Sequence, residues 1–196
     1  MNTTTFSLSI ELITELLGSQ PTKDVTTKYL AKRSGVAIPD DEIETLPDAL
    51  EQFTTVFHHL ADGAPCLYDY QVKGMLKESA EVLNGIHGVK ALRSKVESTV
   101  FISPRRIRLS LPSGQDIDYL ERPLRAQTAR GPRVALARSE MLPTGTTLRC
   151  GVEIIDSKGI TETILRELLD YGYYHGLGQW RTGGCGRFRY ELAVEE

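Results

Sequence analysis

The stretch that decides the fold runs from Thr161 to Val194 and reads TETILRELLDYGYYHGLGQWRTGGCGRFRYELAV. Its first part, Thr161–Tyr171, has apolar residues at helical spacing and predicts an amphipathic helix. Its last part, Arg187–Val194, alternates apolar and polar residues and predicts a strand. Five glycines lie in the segment that joins them, residues 176–187, which we call the glycine loop.

The same periodicities predict the rest of the fold. We predict strands at Thr5–Ile13, Val96–Ile102, Arg106–Leu111 and Thr146–Ile155, helices at Thr22–Ser34, from Leu46 to about His59 and at Gln71–Leu83, and a long hairpin at Asp118–Arg138. The order β-α-β-β-α-β predicts a ferredoxin-like or RRM-like α+β fold in a single domain, residues 1–196. We expect two additions to it, a mostly helical acidic insertion at residues 22–60 and a projecting, arginine-rich, thumb-like excursion at residues 105–138.

Composition narrows the class of protein. The chain has 196 residues, 40% hydrophobic and 25% charged, which is typical of one globular domain. A formal charge of −3 argues against a histone-like, generally basic protein. Without a signal sequence or an apolar run of about 20 residues, we expect a soluble cytoplasmic protein with no membrane contact. The three cysteines are far apart and lack zinc-ligand spacing, so we expect no metal and no cofactor.

Charge is distributed unevenly along the chain. The segment Arg105–Arg149 holds nine arginines, no lysine and four acids, a net charge of +5, whereas Asp40–Glu51 holds six acids and no base. Such a concentrated basic strip indicates one nucleic-acid face. The alternative is that strand alternation sends the arginines to opposite faces, where they are neutralised locally.

The glycine loop contains the residue types that contact nucleic acids. Arginine forks suit phosphates, tryptophan offers a face for base stacking, and glycine permits close approach of a ligand to the backbone. The alternative is a turn with solvated arginines that merely joins a helix to a strand. The candidate contacts are Gly178, Trp180, Arg181, Gly183, Gly184, Gly186 and Arg187.

Two further groups are candidates for phosphate contact. On the predicted helix 71–83, Lys73 and Lys77 share a face beside Gln71, which is either a phosphate-binding face or simply a solvated one. The second group consists of arginines that would follow a nucleic-acid backbone if the hairpin projects: Arg105, Arg106, Arg122, Arg125, Arg130 and Arg133.

Four segments, taken in order, resemble one family. Leu17-Gly18-Ser19 follows the opening strand, and Asp62–Lys77 resembles the motif Asp-x-x-Gly-x-Pro-x-Ile-Pro-Gly-Ser-Ser-Leu-Lys-Gly-x-Leu-Arg. Ser139–Thr146 is similar to Glu-x-Val-Pro-x-Gly-Thr before a core strand, and Ile160 onward resembles a C-terminal module with a glycine-rich loop. These are motifs of the RAMP superfamily, and in particular of the repeated backbone subunits of CRISPR effector complexes.

The resemblance implies a non-catalytic subunit that holds single-stranded guide RNA along a basic groove. It also implies partners, namely copies of the chain itself and other effector-complex subunits. The chain departs from the motif at Asp69, where the family has glycine, and at Tyr70 and Gln71, where it has serines. Phosphate contacts expected from those serines are therefore not carried over.

Two alternatives stay open. An RNA endonuclease of the same superfamily, for guide processing or target slicing, would use His175 as a general acid or base or Asp24 in a metal-assisted loop. A stand-alone copy of the fold, including one encoded by a phage, would bind or inhibit a CRISPR complex by protein contacts through the acidic run Asp40–Glu51.

Overall fold

The fold is described from a computed structural model, for residues 2–32, 44, 54–128, 131–156 and 159–195. Its strands are β1 (Thr3–Leu12), β2 (Leu16–Leu17), β3 (Gln20–Pro21), β4 (Thr54–Val56), β5 (His58–His59), β6 (Pro65–Tyr68), β7 (Val100–Ser103), β8 (Arg106–Ser110), β9 (Asp118–Thr128), β10 (Gly131–Leu142), β11 (Thr147–Ile155) and β12 (Phe188–Val194). The α-helices in these ranges are α1 (Lys23–Lys32), α2 (Asp69–Val82), α3 (Leu92–Thr99) and α4 (Glu162–His175). None of them is long and apolar enough to cross a membrane.

The main sheet has the predicted ferredoxin-like arrangement. Its strands lie in the order β12, β1, β11, β8, β6, β5, and β7 pairs with β11 beside β8. Every pairing between β1, β11, β12, β7 and β8 is antiparallel. Helix α2 precedes β7 and α4 joins β11 to β12, so the β-α-β-β-α-β order is complete. The predicted α+β fold class is confirmed.

One face of the main sheet forms the hydrophobic core. The alternating residues Phe6, Leu8, Ile10 and Leu12 of β1 are at most 1% exposed. They belong to one cluster with the apolar stripe of α4, which is Ile164, Leu165, Leu168 and Leu169, and with Val72, Met75 and Leu76 of α2. Each large side chain buried this way contributes about 1.5–3 kcal/mol. The helices therefore cover one face of the sheet, and the strand residues between these positions lie on the other.

The segment predicted as a long hairpin, Asp118–Arg138, consists of β9 and most of β10. Strands β9 and β10 pair in an antiparallel register from Met141 opposite Asp118 to Gly131 opposite Thr128. At its base β10 also pairs with β2 and β4, and β4 pairs with β3, which gives a second sheet of five strands among the described residues. The segment Arg106–Ser110 belongs to β8 of the main sheet and not to this hairpin.

Two secondary-structure predictions are wrong in part. The helix predicted from Leu46 to about His59 is strand at Thr54–Val56 and His58–His59; its earlier part lies outside the described residues, as does the acidic run Asp40–Glu51 apart from Glu44. The strand predicted at Val96–Ile102 begins only at Val100, because α3 extends to Thr99. Buried residues of α3 at positions 92, 96 and 99 have helical spacing, which the apolar strand that follows obscured.

Strand β6 was not predicted. All four of its residues, Pro65–Tyr68, are buried, so it shows no alternation of apolar and polar residues. It follows the turn predicted at Asp62–Pro65 and leads directly into α2, which begins two residues before the predicted Gln71.

Candidate nucleic-acid interface

The glycine loop is closely packed against the rest of the protein. The Leu177 amide donates to the Gly186 carbonyl and the Gly186 amide donates to the Glu15 carbonyl, both at 2.8 Å. Gly186 has φ +76°, and a Cβ there would lie 1.9 Å from the Leu177 oxygen. Gly178, at φ +70°, would place a Cβ 2.8 Å from the Leu17 oxygen. These two glycines therefore allow close approach of two backbone segments of the same chain, which agrees with the alternative that the loop is a turn joining a helix to a strand.

The segment after β1 holds the other side of the loop. The Thr14 hydroxyl donates to the Gly184 carbonyl and accepts from the Arg187 amide, each at 2.9 Å. The Ile13 amide donates to the Arg187 carbonyl at 2.9 Å. The backbone of Arg187 is thus fixed while its side chain is exposed.

Trp180 stands at the outer side of the loop in contact with the hairpin. Its backbone is left-handed, with φ +55°, and its side chain is 42% exposed. The indole lies close over Gly183, where a Cβ would come within 2.5 Å of the ring. The guanidinium of Arg122, from the base of β9, lies 4.8 Å from the ring centroid in a cation–π contact. Trp180 therefore joins the glycine loop to the hairpin.

Arg122 is the most unusual residue of this region. Its side chain is only 7% exposed, and its Nε and Nη1 atoms are buried without a hydrogen-bond partner among the described residues. A permanent charge buried with unpaired donors is costly, typically a few kcal/mol, unless an anion or acceptor lies beside it. Arg122 was one of six arginines predicted to contact a nucleic-acid backbone, and the structure places it directly against Trp180.

Arg181 belongs to a cluster of ionisable side chains on the helical side of the loop. Its guanidinium contacts the Glu78 carboxylate of α2, and Nη1 lies 2.8 Å from Nε2 of His175. His175 Nε2 also lies 2.9 Å from the Glu78 carboxylate. Burial acts to raise the pKa of Glu78, but the hydrogen bonds and charges of Arg181 and His175 outweigh it and lower that pKa. The predicted phosphate ligand Arg181 is therefore partly neutralised by a carboxylate of the same chain.

A cleft of about 240 Å³ lies between this cluster and the start of α2. The sequence-predicted residues that line it are Gln71, Gly178 and Arg181, and the structure adds Ser19, Gln20 and Glu78. The Gln71 side chain also accepts from the Tyr68 amide at 2.8 Å, which caps α2. The cleft offers amide and hydroxyl groups together with one guanidinium that is paired with the Glu78 carboxylate, a polar set suited to the hydroxyls of a sugar.

Lys73 and Lys77 do not reach this cleft. Lys73 Nζ lies 4.7 Å from the centroid of the Phe101 ring, and Lys77 Nζ lies 2.6 Å from the Glu97 carboxylate of α3. Burial, together with the charge of Lys77, lowers the pKa of Lys73. Both lysines thus face β7 and α3, on a different side of the helix from Gln71.

The remaining predicted residues are dispersed. Arg105 and Arg106 lie 5.1 and 5.9 Å from the Tyr68 ring, away from the glycine loop. Arg125 and Arg133 occupy hairpin positions opposite Val134 and Ala126, and Arg130 lies outside the described residues. Asp24, the second of the two catalytic candidates, is exposed in the first turn of α1.

A small hydrogen-bond network that the sequence analysis missed holds the loop to the second sheet. The Thr55 hydroxyl donates to the Ser139 hydroxyl at 2.7 Å and lies 3.0 Å from Oε1 of the Gln179 side chain. Ser139 in turn lies 3.2 Å from the same oxygen. These residues are 40 to 124 positions apart in the chain, so no local pattern in a single sequence signals their contact.

Comparisons with known proteins give a likeness of fold. No protein-family profile and no curated protein sequence matches the chain. A chain in the cryo-EM structure of the type III-B Cmr-beta bound to cognate target RNA is 13% identical, with a TM-score of 0.50; the alignment covers 99% of this chain and 61% of that one. A chain of a type IV-B CRISPR complex is 14% identical over 96% of this chain and 90% of that one, with a TM-score of 0.46.

The chain spans about three fifths of the length of the type III-B chain that it matches. At 13% identity the similarity extends to the architecture and not to individual site residues. The protein therefore shares the fold of a chain in the type III-B Cmr-beta complex.

Proposed function

We propose that this protein is a RAMP-type, RNA-binding subunit of a CRISPR effector complex, which holds single-stranded guide RNA without cleaving it. In this proposal it works in the cytoplasm, beside copies of itself and other subunits of the complex. The observation that carries it is the buried guanidinium of Arg122 against Trp180, whose Nε and Nη1 atoms have no hydrogen-bond partner among the described residues, at the junction of the glycine loop and the hairpin.

The physical argument begins with Arg122. A phosphate brought beside its Nε and Nη1 atoms would supply two charge-assisted hydrogen bonds and offset the cost of burying the charge. Both atoms are covered in the present arrangement, and Trp180 is one of the groups beside the guanidinium. Movement of the indole away from Arg122 would expose a cation for phosphate and an aromatic face for a base in one step.

The adjoining cleft extends this contact along a strand of RNA. It lies on the helical side of the same loop and is lined by Gln71, Ser19 and Arg181. Arg181 would exchange its carboxylate partner Glu78 for a phosphate oxygen. The likeness of fold to a chain in an RNA-bound type III-B complex supports the same proposal.

The first test is whether RNA accompanies the protein. The chain is purified in low salt and analysed by size-exclusion chromatography with light scattering and absorbance at 260 and 280 nm. We expect a large particle that contains RNA of defined length. A nucleic-acid-free monomer that does not bind added RNA would contradict the proposal and favour the stand-alone protein-binding alternative.

Variants then test the site itself, by fluorescence anisotropy with a labelled 20-nucleotide RNA. Trp180→Ala should weaken binding by about 1–3 kcal/mol through lost stacking. Arg122→Gln should weaken it and reduce the slope of log affinity against log salt by about one. The matched control is Arg93→Ala, because Arg93 is an exposed residue of α3 that is paired with Glu81 of α2 and lines neither the cleft nor the glycine loop.

Equal losses of RNA affinity in the control and in the site variants would show that the glycine loop is not part of the RNA interface. Circular dichroism at the assay temperature shows that each variant is folded. Gel analysis of the same RNA after incubation should show it intact, and products that disappear in His175→Ala would favour the endonuclease alternative.

A further inference from the structure

The face of the main sheet opposite the helices carries a row of arginines. Along β8 and β11 the residues Ile107, Leu109, Leu148 and Cys150 point into the core, so the residues between them lie on the opposite face. These are Arg106, Arg108 and Ser110 on β8, and Thr147 and Arg149 on β11. Strand alternation thus places Arg106, Arg108 and Arg149 on the same face of the sheet.

These side chains line one continuous cleft of about 580 Å³. It contains three guanidinium groups and two hydroxyls, and none of its described lining residues carries a carboxylate. It shares no lining residue with the cleft beside the glycine loop, which is formed by α2 and the loop on the helical side of the sheet. The two sites are therefore separate.

The charges in this cleft are poorly balanced. The pairing of β11 with β8 consists of Thr147 opposite Ser110 and Leu148 opposite Leu109, and Arg149 and Arg108 are the next residues along the two strands, on the same face. Like charges close together on one face of neighbouring strands repel each other. Arg108 contacts Asp62 from the preceding turn, whereas Arg149 is exposed and forms no ion pair with any described residue. An anion bound between the two strands would remove this repulsion.

We propose that this sheet face, centred on Arg108 and Arg149, is a second nucleic-acid site that binds the phosphodiester backbone. Guanidinium groups are donor-only and fit the acceptor-only oxygens of successive phosphates in bidentate geometry. An acidic peptide is a poorer ligand, because each of its residues also has a backbone N–H donor and a guanidinium group cannot accept a hydrogen bond from it. The site is independent of the glycine loop and stands whether or not the loop binds RNA.

The test counts bound oligonucleotides that are too short to span both faces. A fluorescein-labelled uridine hexamer is titrated in low salt into the 196-residue chain. We expect two hexamers per chain in the wild type and one in Arg149→Glu, with crosslinks from a 4-thiouridine hexamer lost from the β8 and β11 peptides. Arg189→Ala is the matched control, because Arg189 is on the same face but is paired with Glu11, and it should keep both hexamers.

The outcomes separate this proposal from the loop site. Trp180→Ala should retain the sheet-face hexamer and lose the other, so failure of the loop site leaves one hexamer that is sensitive to Arg149→Glu. Unchanged stoichiometry and affinity in Arg149→Glu would overturn the proposal. It would equally be overturned if hexaglutamate displaced the Arg149-dependent hexamer at equal concentration, since the face would then recognise acidic protein.

Discussion

Gly186→Ala should disrupt the glycine loop, and Gly114→Ala is its matched control. Both glycines have nearly the same left-handed backbone, with φ +76° and +77°. A Cβ on Gly114 would meet nothing within 4 Å, whereas one on Gly186 would lie 1.9 Å from the Leu177 oxygen. The comparison therefore separates the cost of the backbone conformation from the cost of close packing.

The magnitudes follow from these distances. The left-handed conformation costs an alanine about 1–2 kcal/mol, which exceeds the gain from the reduced entropy of the unfolded chain, so Gly114→Ala should lower stability by about 1 kcal/mol. Relief of the contact at Gly186 to an ordinary separation of about 3.3 Å requires a movement of about 1.4 Å. That movement breaks the 2.8 Å hydrogen bond between Leu177 and Gly186. The lost bond and the overpacking together cost about 2–4 kcal/mol beyond the control.

Urea unfolding followed by far-ultraviolet circular dichroism measures both variants, and the single tryptophan reports on the loop itself. We expect the unfolding midpoint of Gly186→Ala to fall well below that of Gly114→Ala, with loss of RNA binding before global unfolding. Unfolding free energies within about 1 kcal/mol of each other would refute the reasoning, because the loop would then tolerate a side chain where it is most tightly packed.

Three further predictions concern titration and the tryptophan. Burial acts to raise the pKa of Glu78, but the hydrogen bond and charge of Arg181, with those of His175, lower it. The ionised carboxylate therefore stabilises the folded protein fully above the ordinary carboxyl pKa of about 4.3, and this stabilisation is lost as the pH falls through the lowered pKa. In Glu78→Gln the unfolding free energy should therefore depend less on pH below that value, with a difference of less than about 1 kcal/mol because the pair is half exposed. The same pH dependence in the variant and the wild type would contradict this. Burial raises the pKa of Cys66 to about 11 and that of Cys150 to about 12, so neither thiol should react with Ellman's reagent at pH 8 until urea unfolds the protein. Gly183→Ala should displace the indole and shift its emission to longer wavelength while changing stability by less than about 1 kcal/mol, since only a side chain has to move; an unshifted spectrum would mean that the ring does not rest on this glycine.

The glycine loop shows why a composition rich in glycine is an incomplete guide to ligand contact. Gly178 and Gly186 approach backbone of the same chain, and Gly183 is covered by the indole of Trp180. Glycine permits close approach by any neighbour, and only the tertiary contacts decide whether that neighbour is a ligand or the protein itself.

Local pattern was sufficient for most of the fold. The period of two in β1 and β12 and the apolar stripe of α4 fixed the main elements, because each of these segments has one buried face. The same patterning failed for β6, which is buried throughout, for Thr54–Val56, which pairs with β10 far along the chain, and for the two-residue strand His58–His59, which is too short to show a period.

The sequence by itself determined the α+β order, the long hairpin and the residue types from which a basic interface can be made. Only the tertiary structure decided which of those residues meet. It brought Arg122 under Trp180, gave Arg181 a carboxylate partner in Glu78, and turned Lys73 and Lys77 away from Gln71. The physical reason is that periodicity records which face of one element is buried, whereas a site is built from side chains of several elements whose relative position is set by long-range packing.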